Sequence, residues 1–272
     1  MSKLLRPSQR VSFPGSLGHP LAGIVDLPLE QPKAYAVFSH CFTCTKDLKL
    51  IVRISRGLAE HGYGVLRYDS TGLGNSSGDF SLSNFSTNRT DLRAALEYMA
   101  EHFGAAEFLI GHSFGGAASL SMAQEFPTIR SVASLAAPSD TRHLAAHLER
   151  LNPEIVRGGT GQVSIGGLRY TISRQMLDDF RSFDLPKVLR QLSKPVLLMH
   201  SPEDETLGFE HALRLYQLLA SRGPDDPPAC ATSLICLDGA DHLLTRNPSD
   251  LVMITRFLAA WFDHQLGHRA YA

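Results

Sequence analysis

The stretch that most constrains this chain runs from residue 107 to residue 124, E-F-L-I-G-H-S-F-G-G-A-A-S-L-S-M-A-Q. Glu107 to Ile110 read as the end of a short buried strand, and the small and apolar residues after Phe114 read as a helix. Between them stands Gly111-His112-Ser113-Phe114-Gly115, a G-x-S-x-G pattern at a strand-to-helix turn. A strand that turns at once into a helix forces one residue into a strained backbone conformation and thrusts its side chain outward. Positions two before and two after that residue come so close that a Cβ would collide, which explains Gly111 and Gly115. The expectation is a lone Ser113 hydroxyl at the end of a sheet, beside the unpaired N–H groups of a helix's first turn.

The rest of the chain alternates strands with helices of ten or more residues, which implies a mostly parallel sheet covered on both faces. Strands are expected at 9–13, 19–27, 33–39, 63–68, 107–110, 132–136, 194–200 and 231–237, eight in all. Helices are expected at about 46–61, 88–103, 209–221 and 249–265. The rhythm breaks between Ser139 and Leu192, where more residues separate two strands than one crossover helix needs. Here 142–151 and 174–181 read as helices, and 161–172 as a hairpin turning at Gly166-Gly167. The expected division is therefore a core of 1–138 and 193–272, with 139–192 as a lid above the carboxyl edge.

Composition narrows the class further. A net charge of −1 supplies no bulk field for nucleic acid or anionic lipid. No apolar run reaches the roughly 20 residues that a bilayer requires, and the start M-S-K-L-L-R-P-S-Q-R lacks a signal-length apolar stretch. A soluble cytoplasmic protein is expected, whose four cysteines would stay reduced.

A serine hydroxyl needs a base to take its proton, and the base needs a third group to fix its tautomer. His242 follows strand 231–237 through Asp238-Gly239-Ala240-Asp241, just outside a carboxyl end, and is the expected base. The acid should lie in Ser201-Pro202-Glu203-Asp204-Glu205-Thr206, after strand 194–200; Asp204 is preferred to Glu203 and Glu205. Asp241 is too near His242 in sequence to reach its imidazole, and His112 is expected to point away as packing. A developing oxyanion needs two preset N–H donors, expected from Phe114 and from Phe42, with Cys41 as second choice for the latter.

Cys41 and Cys44 read in two ways, as small packing residues or as a redox pair at the mouth of the site. His40, Cys41 and Cys44 lack a fourth ligand for zinc, and neither metal nor cofactor is expected. Leu73, Phe80, Leu168, Met176, Phe180, Phe183 and Leu207 are candidates for an acyl pocket; Asp79 and Arg67 read as structural.

Through G-H-S-F-G, H-C-F-T-C, D-S-T-G-L-G-N-S-S-G, S-P-E-D-E-T and G-A-D-H-L the chain resembles the α/β-hydrolase superfamily along essentially its whole length. More narrowly, H-C-F-T-C-T-K-D and R-Y-D-S-T-G-L-G-N-S-S-G-D-F resemble the hydrolase half of bacterial proteins fused to an OsmC-like domain. The resemblance implies the α/β-hydrolase fold and a serine hydrolase that cleaves a carboxylic ester or thioester through an acyl-enzyme. It also implies an OsmC-like partner, since that half is not expected within these residues. The chain itself is expected as monomer or homodimer. Two other functions fit the same residues: a thiol-redox protein using Cys41 and Cys44, and a non-catalytic small-molecule receptor.

Overall fold

The computed structural model describes residues 7–221 and 229–267, so positions 1–6 of the segment weighed above for a leader lie outside it. One sheet of eight strands carries the fold, in the order β1 (Ser8–Pro14), β2 (Pro20–Asp26), β4 (Tyr63–Tyr68), β3 (Ala34–Ser39), β5 (Ala106–His112), β6 (Ser131–Leu135), β9 (Val196–His200), β10 (Thr232–Cys236). The β1–β2 and β2–β4 pairs are antiparallel and every other pair is parallel. Every residue of β4, β6 and β9 is buried, as expected of central strands in a sheet covered on both faces.

Helix α1 (Lys49–Glu60) lays Leu50, Ile51, Ile54 and Leu58 on one face of the sheet, beside Ile254, Leu258 and Phe262 of α9 (Pro248–Gly267). The other face receives α2 (Phe85–His102), α3 (Phe114–Met122) and α8 (Glu210–Ala220). Each such aliphatic side chain stabilises the fold by roughly 1.5–3 kcal/mol on burial. All nine residues of α3 are buried, which its run of Gly, Ala and Ser permits. Helix α2 starts at Phe85, three residues before the expected Asn88, because Asn84 and Thr87 form a reciprocal capping box. Helix α1 starts later than the expected Lys46, whose backbone N–H is held by the Asp69 carboxylate at 2.6 Å.

Between β6 and β9 the chain builds α4 (Arg142–Leu151), α5 (Glu154–Gly158), the hairpin β7 (Thr160–Ile165) and β8 (Leu168–Ser173), α6 (Arg174–Ser182) and α7 (Leu185–Gln191). Gly166 and Gly167 take φ of 59° and 81°, the pair of positive values that a two-residue hairpin turn demands. The short helices α5 and α7 are absent from the sequence reading, although Asp184 caps α7 by accepting the Lys187 N–H and a proline stands in its first turn. Ala145, Leu148, Ile172, Met176 and Phe180 tie this segment into the core on the α2–α3 side.

From β3 the chain steps to β4 on one side and then to β5 on the other. Ligands bind at such a reversal, beyond the carboxyl ends of the strands. Among the described residues no helix is long and apolar enough to cross a membrane.

Candidate active site

Ser113 sits at the β5–α3 turn with φ 52° and ψ −121°, a conformation held by its N–H donating to the Leu135 carbonyl at 2.8 Å. A Cβ on Gly111 would lie 2.3 Å from the Gly115 carbonyl oxygen, and one on Gly115 would lie 2.3 Å from that of Ser39. The two glycines thus let the turn close against itself and against the end of β3.

Three strand ends converge on the Ser113 hydroxyl. His242, from the loop after β10, places Nε2 3.0 Å from Ser113 Oγ and Nδ1 2.7 Å from Asp204 Oδ2, in the loop after β9. With Nδ1–H donating to the carboxylate, Nε2 is left to accept the serine proton. The other Asp204 oxygen accepts the N–H groups of Thr206 and Leu207 at 2.9 and 2.8 Å. Burial opposes the charge on Asp204, but hydrogen bonding to His200 and His242 outweighs it and holds the carboxyl below its ordinary range. The neighbouring acids are committed elsewhere. Glu203 accepts from Ser201 and the Gly239 N–H, Glu205 faces Arg246, and Asp241 caps its own loop through Thr245 and the Arg246 N–H.

His112 is buried and does not line the cavity beside Ser113, but it does more than pack. Its Nε2–H donates to the His242 carbonyl at 2.8 Å, so the residue before the serine holds the loop that carries the imidazole. Complete burial pushes its pKa down to about 3, which keeps the ring neutral, and its Nδ1 is buried without a partner. The contact spans 130 residues of sequence, and no local pattern announces it.

Facing the elbow is the β3–α1 turn. Cys41 and Cys44 are joined by a disulfide, which corrects the expectation of reduced thiols, and the Cys44 N–H donates to the Cys41 carbonyl at 3.1 Å. Phe42 lies inside this closed turn, and its N–H has no hydrogen-bond partner within the described protein. Its ring meets that of Phe114 edge-on at 5.5 Å, so the two residues expected to supply the oxyanion donors are in contact through their side chains. Side chains clamp this turn from several directions. His40 Nδ1–H donates to the Cys41 carbonyl at 2.7 Å while its Nε2 accepts the Ser70 N–H at 3.0 Å. Buried Lys46 pairs with buried Asp69 at 2.7 Å, and the Tyr170 hydroxyl donates to the Thr43 carbonyl at 3.1 Å. Burial lowers the His40 pKa, with the Cys41 hydrogen bond opposing it.

Ser113, Phe114, Phe42 and His242 open on a cavity of about 830 Å³. Its far wall comes from the segment between β6 and β9, through Leu144, His147, Arg150, Ile165 and Tyr170. Arg150 forms no ion pair among the described residues. Of the expected pocket residues, Leu168 and Leu207 line this cavity. Leu73, Phe80, Met176 and Phe180 are core instead, and Phe183 packs against Phe85 at 4.6 Å. Phe80 and Phe180 act one layer back, seating the Phe42 ring at 5.4 and 5.8 Å. Asp79 caps a single turn at Phe80–Leu82, and buried Arg67 binds Asp26 at 2.8 Å. Among the described residues no cluster of three or more His, Cys, Asp or Glu could hold a metal ion.

Comparison with known proteins agrees with the fold. A family model described as serine aminopeptidase, S33, matches residues 30–157. The esterase domain of a Rhodothermus marinus protein is 38% identical with a TM-score of 0.70, covering 94% of this chain and 97% of that one. Est1E from Butyrivibrio proteoclasticus, in a structure with ferulic acid bound, is 20% identical with a TM-score of 0.78, covering 94% of this chain and 100% of that one. A putative hydrolase from Agrobacterium vitis is 21% identical with a TM-score of 0.74, covering 94% and 98%. Among the curated proteins none matches.

Proposed function

The chain belongs to the α/β-hydrolase family, and from that premise we propose that it is a serine esterase acting through an acyl-enzyme. Ser113 Oγ attacks the carbonyl of a carboxylic ester or thioester while His242 Nε2 takes its proton. Asp204 steadies the imidazolium, and the N–H groups of Phe42 and Phe114 receive the oxyanion, a contribution of about 10²–10³ in rate for each donor. His242 then protonates the leaving alcohol or thiol. It next activates a water that releases the acid and restores Ser113. The observation that carries this reading is the hydrogen-bonded chain Ser113–His242–Asp204, drawn from three separate strand ends.

Residues 139–192 form a lid over the site on this reading, and the apolar wall they supply takes the acyl or alcohol group. Arg150, which lines the cavity and forms no ion pair among the described residues, favours substrates with an anionic group at that end. A panel of p-nitrophenyl esters graded by chain length, with arylacyl and carboxylate-bearing members, ranks these classes. Replacing Ser113 by Ala should lower turnover of p-nitrophenyl acetate by at least about 10⁴-fold. Hydrolysis at the wild-type rate in that variant would end the proposal.

A further inference from the structure

We propose that Cys41 and Cys44 form an oxidative modification site that sets the rate of hydrolysis: the disulfide-bonded chain is the fast enzyme and the dithiol chain the slow one. The inference rests on the assignment of Phe42 as an oxyanion donor.

The two cysteines bracket that donor. The cross-link and the Cys44 N–H to Cys41 carbonyl bond close the turn twice around Phe42 and Thr43, which restricts the Phe42 N–H to one direction. Both cysteines also line the cavity that holds Ser113 and His242, so small oxidants and thiols reach them by the substrate's own route. Cys44 is the half-buried and more accessible partner, whereas Cys41 is 6% exposed. The remaining cysteines, Cys230 and Cys236, flank or end β10 and do not line this cavity.

The chemistry balances with a hydroperoxide as oxidant. The Cys44 thiolate takes the terminal peroxide oxygen, releasing an alcohol, or water from hydrogen peroxide, and becoming a sulfenic acid. The Cys41 thiolate then attacks that sulfur, forms the disulfide and expels the oxygen as water. Reduction runs by thiol exchange, in which an external dithiol returns two thiols here and is itself oxidised to a disulfide. Once the bond is broken, the two sulfurs withdraw to non-bonded contact and the turn relaxes. His40, Lys46 and Tyr170 still hold its flanks, so the donor loosens without the loop unfolding.

The test uses the whole protein, p-nitrophenyl acetate, dithiothreitol and hydrogen peroxide. Denatured thiol counts should differ by two between the oxidised and reduced forms. Turnover number should fall about tenfold on reduction, in the range that a misplaced oxyanion donor produces, with KM little changed. Peroxide should restore both the rate and the lower thiol count. A Cys44→Ser variant should show the slow rate in every condition, and reversible cycling of the unmutated chain carries the test if that variant fails to fold. Equal turnover in both redox states overturns the proposal, as does a thiol count unchanged by peroxide. So does loss of activity together with loss of the native circular dichroism. If redox state has no effect while Ser113→Ala is inactive, the control fails and the esterase reading stands. If Ser113→Ala stays active, the esterase reading falls first.

Discussion

Two turns face each other at the carboxyl edge of the sheet, the β5–α3 turn with Ser113 and the β3–α1 turn with Phe42. The first is fixed by the backbone: a strand enters, a helix leaves, and Gly111 and Gly115 allow contacts that no side chain would survive. The second has no helix or strand of its own between Ser39 and Lys49. It is fixed by side chains: a disulfide and a histidine ring within the turn, an ion pair from its Lys46 to Asp69, and a tyrosine from the segment above. A backbone device tolerates nothing at its close contacts. A device made of several side chains should fail by degrees.

The elbow offers the sharpest way to break that contrast. Gly115→Val drives a branched side chain into the Ser39 and His40 carbonyl oxygens, which are sheet backbone or its direct continuation and cannot move aside. The expected outcome is loss of more than about 4 kcal/mol of stability, with little folded protein at 37 °C. Denaturant titration measures it. A variant of near-native stability would show that the elbow has slack and that the contrast is wrong.

The Phe42 turn should behave more gently. Lys46→Met keeps the length of a side chain that is 4% exposed but leaves the Asp69 carboxylate buried without its cation. The stability loss should be about 3 kcal/mol, because an uncompensated buried charge is expensive. Turnover of the folded fraction should fall roughly 10- to 100-fold with KM nearly constant, as a shifted donor weakens only the transition state. Steady-state kinetics on the folded fraction separates the two quantities. A rise in KM at constant turnover would mean that the turn binds substrate and does not stabilise the oxyanion.

The same contrast explains what could be read in advance. The elbow is written in five consecutive residues, and the strands β3 and β9 in mostly apolar runs, so local sequence carries the information. His242 and Asp204, the expected base and acid, stood out because each lies in the loop after a strand, and the structure brings them within 2.7 Å. The clamps on the Phe42 turn join residues far apart: Lys46 and Asp69 are 23 positions apart, Thr43 and Tyr170 are 127. Nothing in either local stretch names its partner. The C-x-x-C spacing was visible, but the expected compartment argued against its oxidation. The early start of α2 was legible and overlooked, since Asn84 and Thr87 spell a cap. The pocket residues misled because Phe80 and Phe180 shape the site from behind the Phe42 ring.

A smaller effect distinguishes the turns by their buried histidines, His112 on the elbow and His40 on the Phe42 turn. Burial lowers the pKa of both, that of His112 to about 3. The unfolded chain, with an ordinary histidine value of about 6.5, therefore binds more protons than the folded one as pH falls below that point. Stability is complete above about pH 6.5 and declines on acidification, by up to about 1.4 kcal/mol per pH unit for each such group. Asp204, whose folded pKa is lowered, adds its own loss only below its unfolded value of about 3.9, so the interval from pH 6.5 to 4.5 belongs to the histidines. His112→Asn retains an amide that can donate to the His242 carbonyl but has nothing to titrate. It should flatten the slope of Tm against pH in that interval, and His40→Asn should flatten it as well, since burial lowers the His40 pKa despite the opposing Cys41 hydrogen bond. Identical slopes in the wild type and His112→Asn would mean that His112 takes up its proton in the folded state. The ring behind the serine would then be a charged neighbour of His242, and the elbow would no longer be the electrostatically silent half of the site.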